Sequence, residues 1–168
     1  MFAQEAYLDN SATTRVYPEV AAEMQQVMEK KYGNASSLHR RGSEAERILH
    51  ASRRTIAKIL GVESEEIIFT SGGTEANNLA VLGMARRNIR RGNHLITTVI
   101  EHASVLGPFK KLEQEGFTVS YLLPDKQGLI DPAKVVAALT PQTILVSIMH
   151  INNEIGSVQP LSQISAAV

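Results

Sequence analysis

Apolar residues recur along this chain at two spacings, one helical and one extended, and the changes between them mark out the elements. Pro18 sits where a first helical turn tolerates it, and Val20, Met24, Val27 and Met28 follow at helical spacing until Gly33 offers a left-handed stop. Ser43 and Glu46 make a capping-box pair that opens a second helix, in which Ile48, Leu49, Ile56, Ile59 and Leu60 form one apolar face before Gly61. From there the chain alternates. Glu66 to Thr70 is a short β-rich run, Thr74 to Arg87 is helical, and His94 to Ile100 is strand-like. Ser104 to Glu115 then reads as helix, Phe117 to Leu123 as strand, Pro132 to Leu139 as helix and Thr143 to Met149 as a continuous apolar strand. This βαβαβαβ order, with strands apolar on both faces, predicts the α/β class: a mainly parallel sheet with helices on both faces.

No repeat, low-complexity tract or Gly/Ser linker interrupts the pattern, so the chain reads as an extended start over residues 1–17 followed by one unit over 18–168. At the far end Leu161, Ile164 and Val168 begin another helical stripe that has no stop signal, which gives the expectation of a truncated chain.

Composition narrows the chemistry. The 168 residues carry 17 Lys plus Arg against 17 Asp plus Glu, a formal net charge of zero, so no broad field draws nucleic acid or an anionic membrane. The arginine pairs Arg40-Arg41, Arg53-Arg54, Arg86-Arg87 and Arg90-Arg91 fall on helix faces or ends, where a solvated surface explains them, and neither nucleic acid nor membrane is expected as a partner. There is no cysteine, which removes disulfides, Cys-ligated metal and a thiolate nucleophile from these residues and permits a cytosolic setting. Met1 to Ala6 places an acid, Glu5, where a signal peptide needs a basic region, so secretion is not expected. The longest apolar stretches, Leu79 to Ala85 and Ile144 to Met149, fall well short of the ~20 residues that cross a bilayer.

In an open α/β sheet ligands sit at the carboxyl ends of the strands, which draws attention to three junctions. The first is Thr70-Ser71-Gly72-Gly73-Thr74-Glu75-Ala76, where free N–H groups at a helix start and the hydroxyls of Ser71 and Thr74 would hold a phosphate. The same residues would equally serve as a turn with an N-cap. They match neither a nucleotide P-loop nor a G-x-G-x-x-G turn, and no G-x-S-x-G elbow occurs in the chain. The second junction is Glu101-His102-Ala103-Ser104, where His102 is placed to stack on a flat ring or move a proton, or is simply a polar residue at a helix entry. The third is Ile151-Asn152-Asn153-Glu154-Ile155-Gly156, whose amides would donate to a ring oxygen or carboxylate, or form an Asx turn. His39, His50, His94 and His150 carry less weight, and no H-E-x-x-H arrangement or other metal site is expected.

Taken together, Tyr7 to Thr14, Gly33-Asn34-Ala35-Ser36-Ser37, Ser71 to Ala76, Glu101-His102 and Asn152 to Gly156 closely resemble the cysteine desulfurases of the NifS/IscS type. These are pyridoxal 5'-phosphate enzymes of the class V aminotransferase group, with the large domain of PLP fold type I. The resemblance implies that residues 18–168 are an incomplete PLP-binding large domain. It implies that Gly73 and Thr74 bind the cofactor phosphate, that His102 stacks on the pyridine ring and takes part in proton transfer, and that Asn153 contacts the ring oxygen near the substrate. Asn34 falls in a loop on the substrate side. Ser11 stands where Ala is common in the family and Ala35 where Pro is common.

The resemblance covers only the opening portion of such an enzyme. Absent are the Asp that pairs with the pyridine nitrogen, the Lys that holds the cofactor aldehyde and the Cys that receives sulfur. The seven lysines Lys30, Lys31, Lys58, Lys110, Lys111, Lys126 and Lys134 match no such motif. The activity implied for the complete form is conversion of L-cysteine to L-alanine, with sulfur passed to an enzyme cysteine and on to a sulfur-acceptor or scaffold protein for iron–sulfur or thio-cofactor synthesis. A cytoplasmic homodimer is the matching expectation. A selenocysteine lyase, another class V aminotransferase and a non-catalytic assembly module are the alternatives.

Overall fold

The computed structural model describes residues 6–168, so Met1 to Glu5, and with them the opening of the segment expected over 1–17, lie outside the described residues. Two compact units divide the chain, Met1–Phe69 and Thr70–Val168.

The first unit is built on two helices. Pro18 occupies the first turn of α1 (Pro18–Lys30), Glu19 lies at its positive end and Lys30 at its negative end, as the helix dipole favours. Its apolar stripe is nevertheless uncovered: α1 has no buried residue, and Met28 is 67% exposed. The helix ends at Lys31, before Gly33, which does not take the left-handed conformation expected of it. Glycine is needed there for closeness instead, because a Cβ would collide with the carbonyl oxygen of Arg41.

Helix α2 (Arg40–Leu60) starts earlier than the Ser43–Glu46 pair predicts. His39 caps it, its Nδ1 accepting the Gly42 N–H at 3.3 Å, so an acceptor is in place a turn upstream and Ser43 falls inside the helix. Gly61 ends α2 at φ +70°, the left-handed cap its position foretells. The strand expected over Glu66 to Thr70 does not form. Ser64–Glu66 is a single 3₁₀ turn, and although Ile67 is extended (φ −88°, ψ 117°), no strand pairs with the residues that follow it among the described residues. Extended propensity makes a strand only where a ladder satisfies its N–H and C=O groups.

The second unit supplies the sheet. Its order is α3 (Gly73–Asn88), β1 (His94–Thr98), α4 (Ala103–Gln114), β2 (Thr118–Leu122), α5 (Pro132–Ala138), β3 (Thr143–Val146) and α6 (Leu161–Ala167). The three strands are parallel in the order β2-β1-β3, with His94 opposite Thr118 on one side and Thr143 on the other. Central β1 is buried along its whole length, which suits the apolar and threonine run that follows His94.

Neighbouring strand residues serve two separate cores. Tyr121 packs with Leu95, with Val81 and Ala85 of α3 and with Val105, Phe109 and Leu112 of α4. Leu122 packs with Val135 of α5 and Ile164 of α6. Because successive strand side chains point to opposite faces, helices cover both faces, as expected for the α/β class. Burying a side chain such as Phe109 or Leu112 contributes roughly 1.5–3 kcal/mol.

Candidate functional site

The chain leaves β1 towards α4 on one face and leaves the adjacent β3 towards α6 on the other, which opens a crevice between the carboxyl ends of these two strands. A buried carboxylate staples its floor. Glu101, 7% exposed, accepts the Thr98 hydroxyl at 3.0 Å and the Met149 N–H at 2.8 Å, both on Oε1. Burial pushes its carboxyl above the ordinary range while the two donors act in the opposite direction.

Asn152 adds a second tie, its Nδ2 donating to the Ile100 carbonyl at 2.8 Å while its Oδ1 accepts from the N–H groups of Glu154 and Ile155. The Asx-turn reading of this segment therefore describes Asn152, and Gly156 closes the turn at φ +70°.

His102 caps α4 on the same rim and is itself exposed. Its Nδ1 accepts the Ser104 N–H at 3.1 Å and lies 2.8 Å from the Ser104 hydroxyl, which in turn takes Nδ2 of Asn77 at 2.8 Å. His102 and Thr74 line one cavity of about 350 Å³, with Asn78, Ser104, Pro108 and Lys111. Thr74 and His102 thus meet as the sequence predicts. Spacing gives Asn77, Ser104 and Lys111 no role at the site, although Ser104, Gly107, Pro108 and Lys111 share a helical face that a period count would show.

At the start of α3 no side chain caps the helix, and the first turn closes with Ala76 N–H on the Gly72 carbonyl. The N–H groups of Gly73, Thr74 and Glu75 precede that bond and have no acceptor within the helix. Beyond the adjacent residues and the helix's own backbone, no atom among the described residues lies within 4 Å of where a Cβ on Gly72 or Gly73 would stand, so long-range packing among them does not account for either glycine. The Ser71 hydroxyl, expected to help hold a phosphate, points elsewhere: it donates to Oε2 of Glu75 at 2.7 Å, and the Ser71 N–H does so at 2.6 Å. Those bonds hold the Glu75 carboxyl below its ordinary range.

Asn153 is exposed in the turn after β3, donating from Nδ2 to Glu154 Oε1 at 2.8 Å, and it does not line the cavity of Thr74 and His102. Asn34 belongs to the first unit, where its Oδ1 accepts the Ser36 N–H at 2.9 Å and its side is open to a cleft shared with Val27, Lys31 and Ile48.

The parallel α/β sheet, the uncapped start of α3 and the imidazole of His102 occur together in a chain whose family can be stated. Residues 6–168 match the aminotransferase class-V model, and the chain belongs to that family. Among its relatives, a NifS/IcsS protein homolog of Lactobacillus delbrueckii subsp. bulgaricus is 50% identical over 95% of this chain and 41% of its own length. Cysteine desulfurase IscS of Dictyoglomus turgidum is 46% identical over 96% of this chain and 41% of its own length. A solved NifS-like protein superposes with a TM-score of 0.95 at 39% identity, over 98% of this chain and 45% of that one. The chain thus spans about two fifths of the length of the curated relatives it matches.

Proposed function

We propose that the complete protein is a pyridoxal 5'-phosphate-dependent cysteine desulfurase, and that residues 18–168 belong to its PLP-binding large domain. The observation that carries this reading is the cavity shared by Thr74 and His102 beside the uncapped start of α3, in a chain 46% identical to a cysteine desulfurase. The donor set suits the cofactor. Gly73, Thr74 and Glu75 offer N–H groups at the positive end of a helix, Thr74 adds a hydroxyl, and the space beside Gly73 is open to a bulky anion. Ser71 draws the Glu75 carboxylate into hydrogen bonds of its own.

Bound there, pyridoxal phosphate supplies an electron sink for chemistry at the substrate's α-carbon. The protein's share is binding, orientation and proton handling. Gly73 and Thr74 would hold the phosphate, His102 would stack on the ring and handle a proton there, and the Asn153 amide, once released from Glu154, would contact the ring oxygen. Asn34 serves the substrate side. The substrate is L-cysteine, the products are L-alanine and a sulfur atom, and the sulfur passes through an enzyme cysteine to an acceptor or scaffold protein. No cysteine occurs in these 168 residues, so the accepting thiolate is not among them, and the chain as given turns over no cysteine. A cytoplasmic homodimer is the form proposed for the complete protein.

The test is cofactor affinity of the complete protein, followed by its absorbance, with alanine formation from L-cysteine measured alongside. Thr74→Ala and Gly73→Val are expected to weaken cofactor binding about tenfold or more, since each removes a charge-assisted bond or closes the approach to one. A Cβ at Gly73 meets nothing beyond its chain neighbours and its own helix backbone, so Gly73→Val is expected to fold, a point the circular dichroism of the variant checks before its affinity is read as ligand approach. Unchanged affinity in both variants would refute the site.

A further inference from the structure

We propose that Asn77 and Ser104 are positioning residues that set the tautomer of His102, placing its ring proton on Nε2. The argument follows the donors. A backbone N–H can only donate, and that of Ser104 meets Nδ1 of His102 at 3.1 Å, so Nδ1 presents a lone pair and carries no proton. The Ser104 hydroxyl lies 2.8 Å from the same nitrogen, and with no proton on Nδ1 the hydroxyl's own proton lies between them. Its lone pair is then free for Asn77, whose Nδ2 donates to Ser104 Oγ at 2.8 Å. All these donors run in one direction, from Asn77 through Ser104 to the imidazole. Ser104 is 8% exposed, so little water competes for the hydroxyl. A neutral imidazole has one ring proton, and Nε2 is the atom left to bear it.

The arrangement ties two helices to one ring. Asn77 lies on α3, a turn after Thr74, while Ser104 lies in the first turn of α4. The helix whose start is proposed to hold the phosphate thereby also orients the imidazole. The consequence for turnover rests on the desulfurase reading: His102 acts as a hydrogen-bond donor through Nε2–H.

The experiment uses the complete protein with ¹⁵N-labelled histidine, without cofactor and then with pyridoxal phosphate, as wild type, Ser104→Ala, Ser104→Thr and Asn77→Ala. In the wild type without cofactor, His102 is expected to show a protonated Nε2 and a bare Nδ1. Ser104→Ala is expected to move the two ring-nitrogen resonances towards each other as the ring gains freedom, and Ser104→Thr, which keeps the hydroxyl, to restore them. Asn77→Ala should shift them in the same sense and gives the same test if Ser104→Ala fails to fold. With cofactor, Ser104→Ala should lower kcat about fivefold with KM within about twofold, the mark of an interaction that matters in the transition state. A wild-type ring protonated on Nδ1, or resonances unmoved by both Ser104→Ala and Asn77→Ala, would overturn the inference. The expected tautomer in a protein that binds no pyridoxal phosphate would uphold it and refute the desulfurase reading.

Discussion

The two ends of β1 each present a histidine, and the contrast between them separates scaffold from chemistry. At the amino end His94 is 5% exposed, with Nδ1 2.7 Å from the Thr143 hydroxyl and Nε2 2.9 Å from that of Ser120. Both ring nitrogens are spent, and the ring clamps β2, β1 and β3 together. Past the carboxyl end His102 is exposed, with Nδ1 engaged by Ser104 and no protein partner for Nε2 among the described residues. One residue type thus serves two purposes, and what distinguishes them is how much of the ring's bonding capacity the fold consumes.

Four experiments on the complete protein would break or sharpen that contrast. The largest effect belongs to His102→Ala, which should cut alanine formation from L-cysteine about 10²-fold or more while moving the urea midpoint by no more than about 0.5 kcal/mol equivalent. A variant that instead unfolded would make His102 a second clamp and erase the distinction. Next comes His94→Leu, which leaves the half-buried Ser120 hydroxyl without its partner and the Thr143 hydroxyl with only Thr140, and should cost about 2 kcal/mol in urea denaturation, with cofactor affinity within about twofold of wild type. Cofactor loss without destabilisation would reverse the assignment.

Glu101→Gln should act more gently and through pH. Gln can keep both bonds on Oε1 while removing a buried charge. Because burial raises the Glu101 carboxyl above its ordinary value of 4.5, the folded state holds its proton to higher pH than the unfolded state. Wild-type stability relative to Glu101→Gln should therefore fall as pH rises from about 4.5 through that raised value, then level off. Denaturation midpoints of the two proteins across pH 4 to 8, a range of about four units spanning that titration, check the sign, and a rise would refute the burial argument.

Smallest is Arg86→Gln. Arg86 Nε lies 3.1 Å from Oε2 of Glu115, and this exposed pair holds the Glu115 carboxyl down. Its contribution is present above the ordinary Glu range and fades as pH falls through the lowered value. The difference from wild type should disappear in about 1 M salt, where screening acts over about 3 Å.

What could be read from the sequence follows the range of the interaction responsible. Helix α1, helix α3 and strand β1 announce themselves through near neighbours, and so do the helix starts at which Thr74 and His102 stand, although among the described residues no strand precedes Thr74. The stop at Gly33 and the cap at Ser43 failed for a different reason. Chain entry into α2 is decided by the close approach of Gly33 to Arg41 and by the imidazole of His39, which spacing alone does not reveal. Residues 66–70 carry extended propensity, yet a ladder needs a partner strand. The ties that hold the rim join Asn77 to Ser104 and Glu101 to Met149, 27 and 48 residues apart, and become visible only once the sheet has brought them together.

The parallel order β2-β1-β3 also bears on how the molecule assembles. His94 meets Thr118 after one helical crossover, but it meets Thr143 only after the chain has gone to β2 and returned over β1 to the far edge. That second loop is roughly twice as long, and each doubling adds about 0.6 kcal/mol of closure entropy. On loop closure alone the β1–α4–β2 unit is expected to form before β3 docks on it, an order that φ-values measured in β2 and β3 would check. β3 is also the strand whose pairing slips, between His94 and Leu95. Thr143 is the His94 partner on that strand, so in that order the imidazole clamp at the amino end would close only as β3 docks.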